Sequence, residues 1–187
     1  NTLVFATPGE SGCWDNESYG AISFNLSSEL SNASNFLNIG GGGNNDTLTG
    51  DDNANVIIGA GGNDTLNGGG GNDTIYGDDH LNDSSGTIYG IRSYGITDGN
   101  DTIYGGDGDD VIYGGGGDDT LDGGAGNDTI SSGSGSDTII ITSSTNSDIL
   151  TDFTDGTDAI GFDNSLNVGN LTFVASGNDT QIKNGSD

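Results

Sequence analysis

Asp46, Asn55, Asp64, Asp73, Asp101, Asp110, Asp119, Asp128 and Asp137 follow one another at nine-residue steps, one of which is lengthened by 19 inserted residues. Each holds the sixth place of a unit whose first, second and fourth places are mostly glycine. GGGGNDTIY from Gly68, GGDGDDVIY from Gly105, GGGGDDTLD from Gly114 and GGAGNDTIS from Gly123 are the best copies. A carboxylate supplies a hard oxygen. Glycines at places one, two and four permit φ > 0 and let backbone carbonyls converge on one point that a Cβ would obstruct. This is oxygen-donor chemistry for a cation, and the charge agrees: 29 acidic residues against 2 basic ones leave a net -27. Such a surface repels phosphate, and Arg92 and Lys183 form no basic stripe, so nucleic acid is excluded as a partner. The chain has neither H-E-x-x-H nor G-x-S-x-G and only one histidine, His80, so it is read as a non-enzyme with no catalytic residue.

The elements that position these side chains follow from the same phase. Only 29% of residues are hydrophobic and 37 of 187 are glycine, a composition that by itself reads as disorder. The eighth place overrides it, because it is Leu or Ile in every copy: Leu48, Ile57, Leu66, Ile75, Ile103, Ile112, Leu121, Ile130 and Ile139. In a short strand, place eight then points inward while places seven and nine point out. The insertion, residues 79–97, enters the fifth copy between Asp78 and Asp98 and leaves the register intact.

The unit GGxGxDxUx resembles the nonapeptide of RTX proteins, a calcium-binding parallel β-helix repeat. The resemblance implies an all-β, right-handed parallel β-roll, a solenoid in which each copy makes a six-residue turn and a three-residue strand. It also implies calcium ions between turns two copies apart. Seven intervals result: Asp46 with Asp64, Asn55 with Asp73, Asp64 with Asp101, Asp73 with Asp110, Asp101 with Asp119, Asp110 with Asp128, and Asp119 with Asp137. Gly106, Gly108, Gly115, Gly117, Gly124 and Gly126 join these residues as carbonyl donors, since calcium takes six to eight oxygens in loose geometry. Asn55 brings no charge, which makes its interval the weakest.

A solenoid needs covered ends. Residues 1–40 read as an N-terminal β cap, with Ile22, Phe24 and Leu26 on one face and FLNI from Phe36; Cys13 and Trp14 are read as packing residues there. Residues 41–140 are the roll and 141–187 a C-terminal cap. In that cap SDILTDFTDGTDAIGF from Ser147 resembles the segment that follows RTX repeats in secreted proteins. Ile149, Phe153, Ile160 and Phe162 are expected to close the core, Asp148, Asp152 and Asp158 are further calcium candidates, and LTFVASGNDTQI from Leu171 is expected to form a hairpin turning at Ser176 to Asn178. No run of 18 apolar residues and no N-terminal signal is visible. The resemblance implies export by a type I secretion apparatus, folding in extracellular calcium, and a place at the cell surface. The chain is read as one monomeric module beside neighbouring domains of a longer, adhesin-type parent. The alternatives are an accessory domain of a secreted hydrolase, or a sugar- or ice-binding module. For ice, the outward row Thr47, Thr65, Thr102, Thr120 and Thr138 is regular, but its companion row Thr49, Asn67, Tyr104, Asp122 and Ile140 is not. Tyr76 and Tyr113 are expected on one face and Tyr104 on the other, and His80 is read as exposed.

Overall fold

The repeat makes strands because its seventh to ninth places carry Thr, Val, Ile and Tyr, which suit a pleated surface, while glycine and Asx fill the turns. A computed structural model describes residues 2–4, 23–25, 38–78, 98–142, 147–154, 156–162, 171–176 and 179–184. Its strands are β1 (Thr2–Val4), β2 (Ser23–Asn25), β3 (Asn38–Gly40), β4 (Thr47–Thr49), β5 (Val56–Ala60), β6 (Thr65–Gly70), β7 (Thr74–Asp78) and β8 (Thr102–Asp107). They continue as β9 (Val111–Gly116), β10 (Thr120–Ala125), β11 (Thr129–Ser134), β12 (Thr138–Ile141), β13 (Ser147–Leu150), β14 (Ala159–Phe162), β15 (Leu171–Ser176) and β16 (Asp179–Asn184). Among the described residues there is no helix, hence none long and apolar enough to cross a membrane.

Successive strands alternate between two sheets, so the chain winds as a parallel β-solenoid of about 6 turns. Nine strands form one sheet in the order β1-β3-β5-β7-β9-β11-β13-β16-β15, and seven form the other in the order β14-β12-β10-β8-β6-β4-β2. All pairings are parallel except β13 with β16 and β15 with β16, which make an antiparallel hairpin at one end of the larger sheet. Register passes the insertion without a slip: Leu66 pairs with Ile103 and Ile75 with Ile112. Between the sheets the nine Leu and Ile of place eight are almost wholly buried, joined by Ile39, Ile141, Leu150 and Ile182. Tyr76 and Tyr113 stack on the larger sheet, ring centroids 4.9 Å apart and planes 6° apart, while Tyr104 in β8 lies on the smaller sheet, exposed.

Three expectations need correction. Ile149 does not close the core; β13 places Ile149 opposite Thr129 and Leu150 opposite Ile130, so Leu150 points inward and Ile149 outward. Two adjacent apolar residues leave the phase of a strand open, and pairing to the previous turn decides it. Phe162 is exposed rather than closing the end, whereas Phe153 and Ile160 do pack against the core. Finally, among the repeat glycines φ > 0 occurs only at places two and four, from Gly62 to Gly135, and not at place one. Ala60, at place two, adopts φ 92 without being glycine. Phe24 of β2 packs against the core. Ile22, Leu26, Phe36, Cys13, Trp14, His80, Arg92 and the whole insertion lie outside the described residues.

Candidate metal centre

The place-six residues are fully buried, each 1–2% exposed, rather than lying on the solvent edges of the turns. From Asp64 onward, one oxygen of each is tied to the turn before it. Asp46 N–H donates to Asp64 Oδ1 (2.8 Å), Asn55 N–H to Asp73 Oδ1 (2.8 Å), Asp64 N–H to Asp101 Oδ1 (2.7 Å) and Asp73 N–H to Asp110 Oδ1 (2.7 Å). Asp101 N–H donates likewise to Asp119 (2.8 Å), Asp110 N–H to Asp128 (2.9 Å) and Asp119 N–H to Asp137 (3.0 Å). These are the seven pairs that the spacing joins. Two more extend the columns into the C-terminal segment, Asp128 N–H to Asp148 Oδ1 (3.1 Å) and Asp137 N–H to Asp158 Oδ1 (3.3 Å).

The second oxygens have a different situation. Oδ2 of Asp64, Asp73, Asp101, Asp110, Asp119, Asp128 and Asp137 is buried with no hydrogen-bond partner. For Asp64, Asp73, Asp101, Asp110 and Asp119, a Cβ added to the place-one glycine of the same turn would collide with this oxygen and also with the place-one carbonyl of the next turn. Asp64 Oδ2 and Gly77 O meet in this way at Gly59, and Asp110 Oδ2 and Gly123 O meet at Gly105. Place-one glycine is therefore required for close approach and not for φ > 0. From the other side of the gap come the carbonyls of places two and four: Gly106 and Gly108 O press on Gly124 and Gly126, and Gly115 and Gly117 O on Gly133 and Gly135. Each gap thus gathers an unpartnered carboxylate oxygen and several backbone carbonyls facing one another.

Such a gap is unfavourable without a cation. Desolvation is the main cause of raised carboxyl pKa values, against an ordinary 3.8: about 9 for Asp64, about 8 for Asp119, about 7 for Asp101, Asp110 and Asp148, and about 6 for Asp73 and Asp128. Hydrogen bonds from the turn before oppose this, and neighbouring carboxylates add to it. An all-oxygen set of carboxylate and carbonyl groups fits a hard divalent ion of calcium's size and loose geometry. Among the described residues no three His, Cys, Asp or Glu side chains come together as a metal cluster. The donors here are largely main-chain, which a count of side chains overlooks.

Residues 40–75, 96–130 and 104–139 match the family model for the RTX calcium-binding nonapeptide repeat. The repeats belong to the RTX family. RTX repeats bind calcium, and they are structural modules rather than an enzyme family. The search of curated proteins found no match.

Not every candidate sits in a column. Asp152 instead covers the last turn of the larger sheet: its Oδ1 accepts from Ser132 N–H (2.9 Å) and its Oδ2 from Gly133 N–H (3.0 Å) and Ser131 Oγ (2.7 Å). Asp158 accepts from Thr154 N–H (2.7 Å) as well as from Asp137.

The place-five residues went unnoticed in the sequence. Their side chains accept from the turn after: Asn45 from Asn63 N–H (3.1 Å), Asn63 from Asn100 (3.2 Å), Asn100 from Asp118 (2.9 Å) and Asp118 from Ser136 (2.9 Å). Asn72, Asp109 and Asn127 do the same on the opposite edge. These exposed ladders run with polarity opposite to the buried ones, so every step of the roll except the one from Ala54 to Asn72 is clamped in both directions. The signal was present, since place five is Asn, Asp or Ser in every copy except that of Ala54.

Proposed function

We propose that the chain is a calcium-driven folding module of a large extracellular, adhesin-type RTX protein. In this reading it is exported through a type I secretion apparatus and folds where calcium is abundant. The observation that carries it is the series of buried Oδ2 atoms without hydrogen-bond partners, of which those of Asp64, Asp73, Asp101, Asp110 and Asp119 face a backbone carbonyl across an inter-turn gap. Asp46, Asn55, Asp64, Asp73, Asp101, Asp110, Asp119, Asp128 and Asp137 are the side-chain ligands of seven ions, with Gly106, Gly108, Gly115 and Gly117 supplying carbonyls. Asp148 and Asp158 extend the columns, and Asp152 is a hydrogen-bonding cap rather than a ligand. The module divides into an N-terminal cap (1–40), the roll (41–140) and a C-terminal cap (141–187).

Extracellular modules bind calcium at roughly 0.1–1 mM, far above cytosolic free calcium. At tenfold excess over the dissociation constant each site adds about 1.4 kcal/mol, so seven add about 10 kcal/mol, comparable to the stability of a whole domain. The test is circular dichroism with calcium titrated into chelator-treated protein. The β signal is expected to be largely absent in EGTA, restored at millimolar calcium, and restored far less by magnesium, which demands a tight octahedron. Equal β content in EGTA would refute the reading.

A further inference from the structure

Four strands end the two sheets, and three of them are short: β1 and β2 have three residues each and β14 has four. Brevity is one way in which a sheet edge is kept from pairing with another chain, and Lys, Pro or an inward charge are others. β15 uses none of them. It runs for six residues, LTFVAS, at the end of the nine-stranded sheet, and among the described residues it pairs with β16 alone. In an antiparallel ladder every second residue of such a strand turns its N–H and C=O away from its neighbour, here toward the open edge.

Apolar surface collects at the same end. Of the five exposed large hydrophobic side chains among the described residues, Phe162 (43%), Phe173 (50%) and Val174 (38%) lie on β14 and β15, the last strands of the two sheets. Phe173 stands opposite Ile182, a core residue, so it continues the core face of the larger sheet past the point where packing covers it. Charge thins out there as well. Residues 164–178 carry no charged side chain in a chain of net -27, and Asp179 and Lys183 of β16 cancel.

We propose that β15 is a pairing edge for a second copy of this chain, joined antiparallel about a twofold axis normal to the sheet. Such an axis keeps like faces together, bringing Phe173 opposite Phe173 of the second copy and Thr172 opposite its Val174. The two nine-stranded sheets become one. From β13 of one copy to β13 of the other is five strand steps, about 24 Å or about three Debye lengths at physiological salt, so the acidic rolls point apart and are screened from each other. A cationic partner would be drawn to the acidic turns instead, whereas an identical edge matches β15 in length, neutrality and apolar content. The module is then a dimer rather than the monomer that the sequence suggests, and the pairing needs the folded roll but not the calcium assignment of any gap.

The experiment is sedimentation equilibrium of the full chain at physiological salt in millimolar calcium, with circular dichroism to confirm the β signal. One short edge makes an interface at the small end of the specific range, so monomer is expected at about 1 µM and dimer at about 100 µM. Phe173→Lys, which sets like charges across the twofold, is expected to raise the dissociation constant about tenfold or more. Tyr104→Lys makes the same charge change at an exposed aromatic of the smaller sheet and is expected to stay within about twofold of wild type. Monomer at every concentration overturns the proposal and leaves the edge to a neighbouring domain of a longer parent. Dimers that Phe173→Lys does not weaken, or open assemblies larger than a dimer, overturn it too. Should Phe173→Lys lose its β signal, amide exchange of the wild-type chain decides. Alternate amides of β15 gain protection between about 1 and 100 µM if the edges pair, and unchanged exchange overturns the pairing.

Discussion

Asp110→Ala separates the shared-gap geometry from simple loss of surface charge. Asp110 is 1% exposed and its Oδ1 accepts the Asp73 N–H at 2.7 Å. Truncation leaves that buried amide unsatisfied, at a cost of about 1–3 kcal/mol. It also removes a carboxylate oxygen from two gaps, toward Asp73 and toward Asp128. Losing both ions at tenfold calcium excess removes about 2.8 kcal/mol more. The sum is about 4–6 kcal/mol. Asn55→Ala removes an acceptor from the part-buried Asp51 N–H (2.8 Å), about 1 kcal/mol, and one uncharged ligand from one gap, at most about 1.4 kcal/mol. Urea denaturation at fixed free calcium should therefore show Asp110→Ala less stable than Asn55→Ala by about 2–4 kcal/mol. Equal losses in calcium, or a larger one at Asn55, would show that turns 18 residues apart do not share their ions.

The buried aspartates have folded pKa values above the ordinary 3.8, so without calcium their contribution is complete below about pH 3.8 and is lost as pH rises through about 6 to 9. In calcium-stripped buffer, circular dichroism should show more β signal at pH 4 than at pH 8, and in saturating calcium the order should invert as protons displace the ion. Gly105→Ala drives a Cβ into Asp110 Oδ2 and the Gly123 carbonyl, whereas Gly42→Ala meets nothing within 4 Å. Thermal melts should show the first destabilised by about 1–3 kcal/mol or more and the second within about 0.5 kcal/mol of wild type. Deleting residues 79–97 so that Asp78 joins Asp98 restores the nine-residue phase already kept by Leu66 with Ile103. Calcium titration should find the β signal preserved and the stoichiometry unchanged to within one ion.

The nine-residue phase makes the core and the buried ladder legible in the sequence by itself. When each turn is a copy of the last, the residue stacked on Asp64 is the one two copies away, Asp101, whatever lies in the loop between. The same reasoning puts Leu and Ile of place eight inside, since strand alternation needs only local sequence. Where the period stops, there is nothing left to count. Ile149 and Leu150 are adjacent and both apolar, and only pairing with β11 selects Leu150 for the core. Likewise, Asp152 matches its neighbours in composition but bonds the amides of Ser132 and Gly133, a role set by where the C-terminal segment meets the sheet. The need for glycine at place one and the opposed place-five ladders depend on distances between turns. Local sequence specifies a turn's conformation, but how closely its carbonyls approach the next turn is fixed only when the two are stacked.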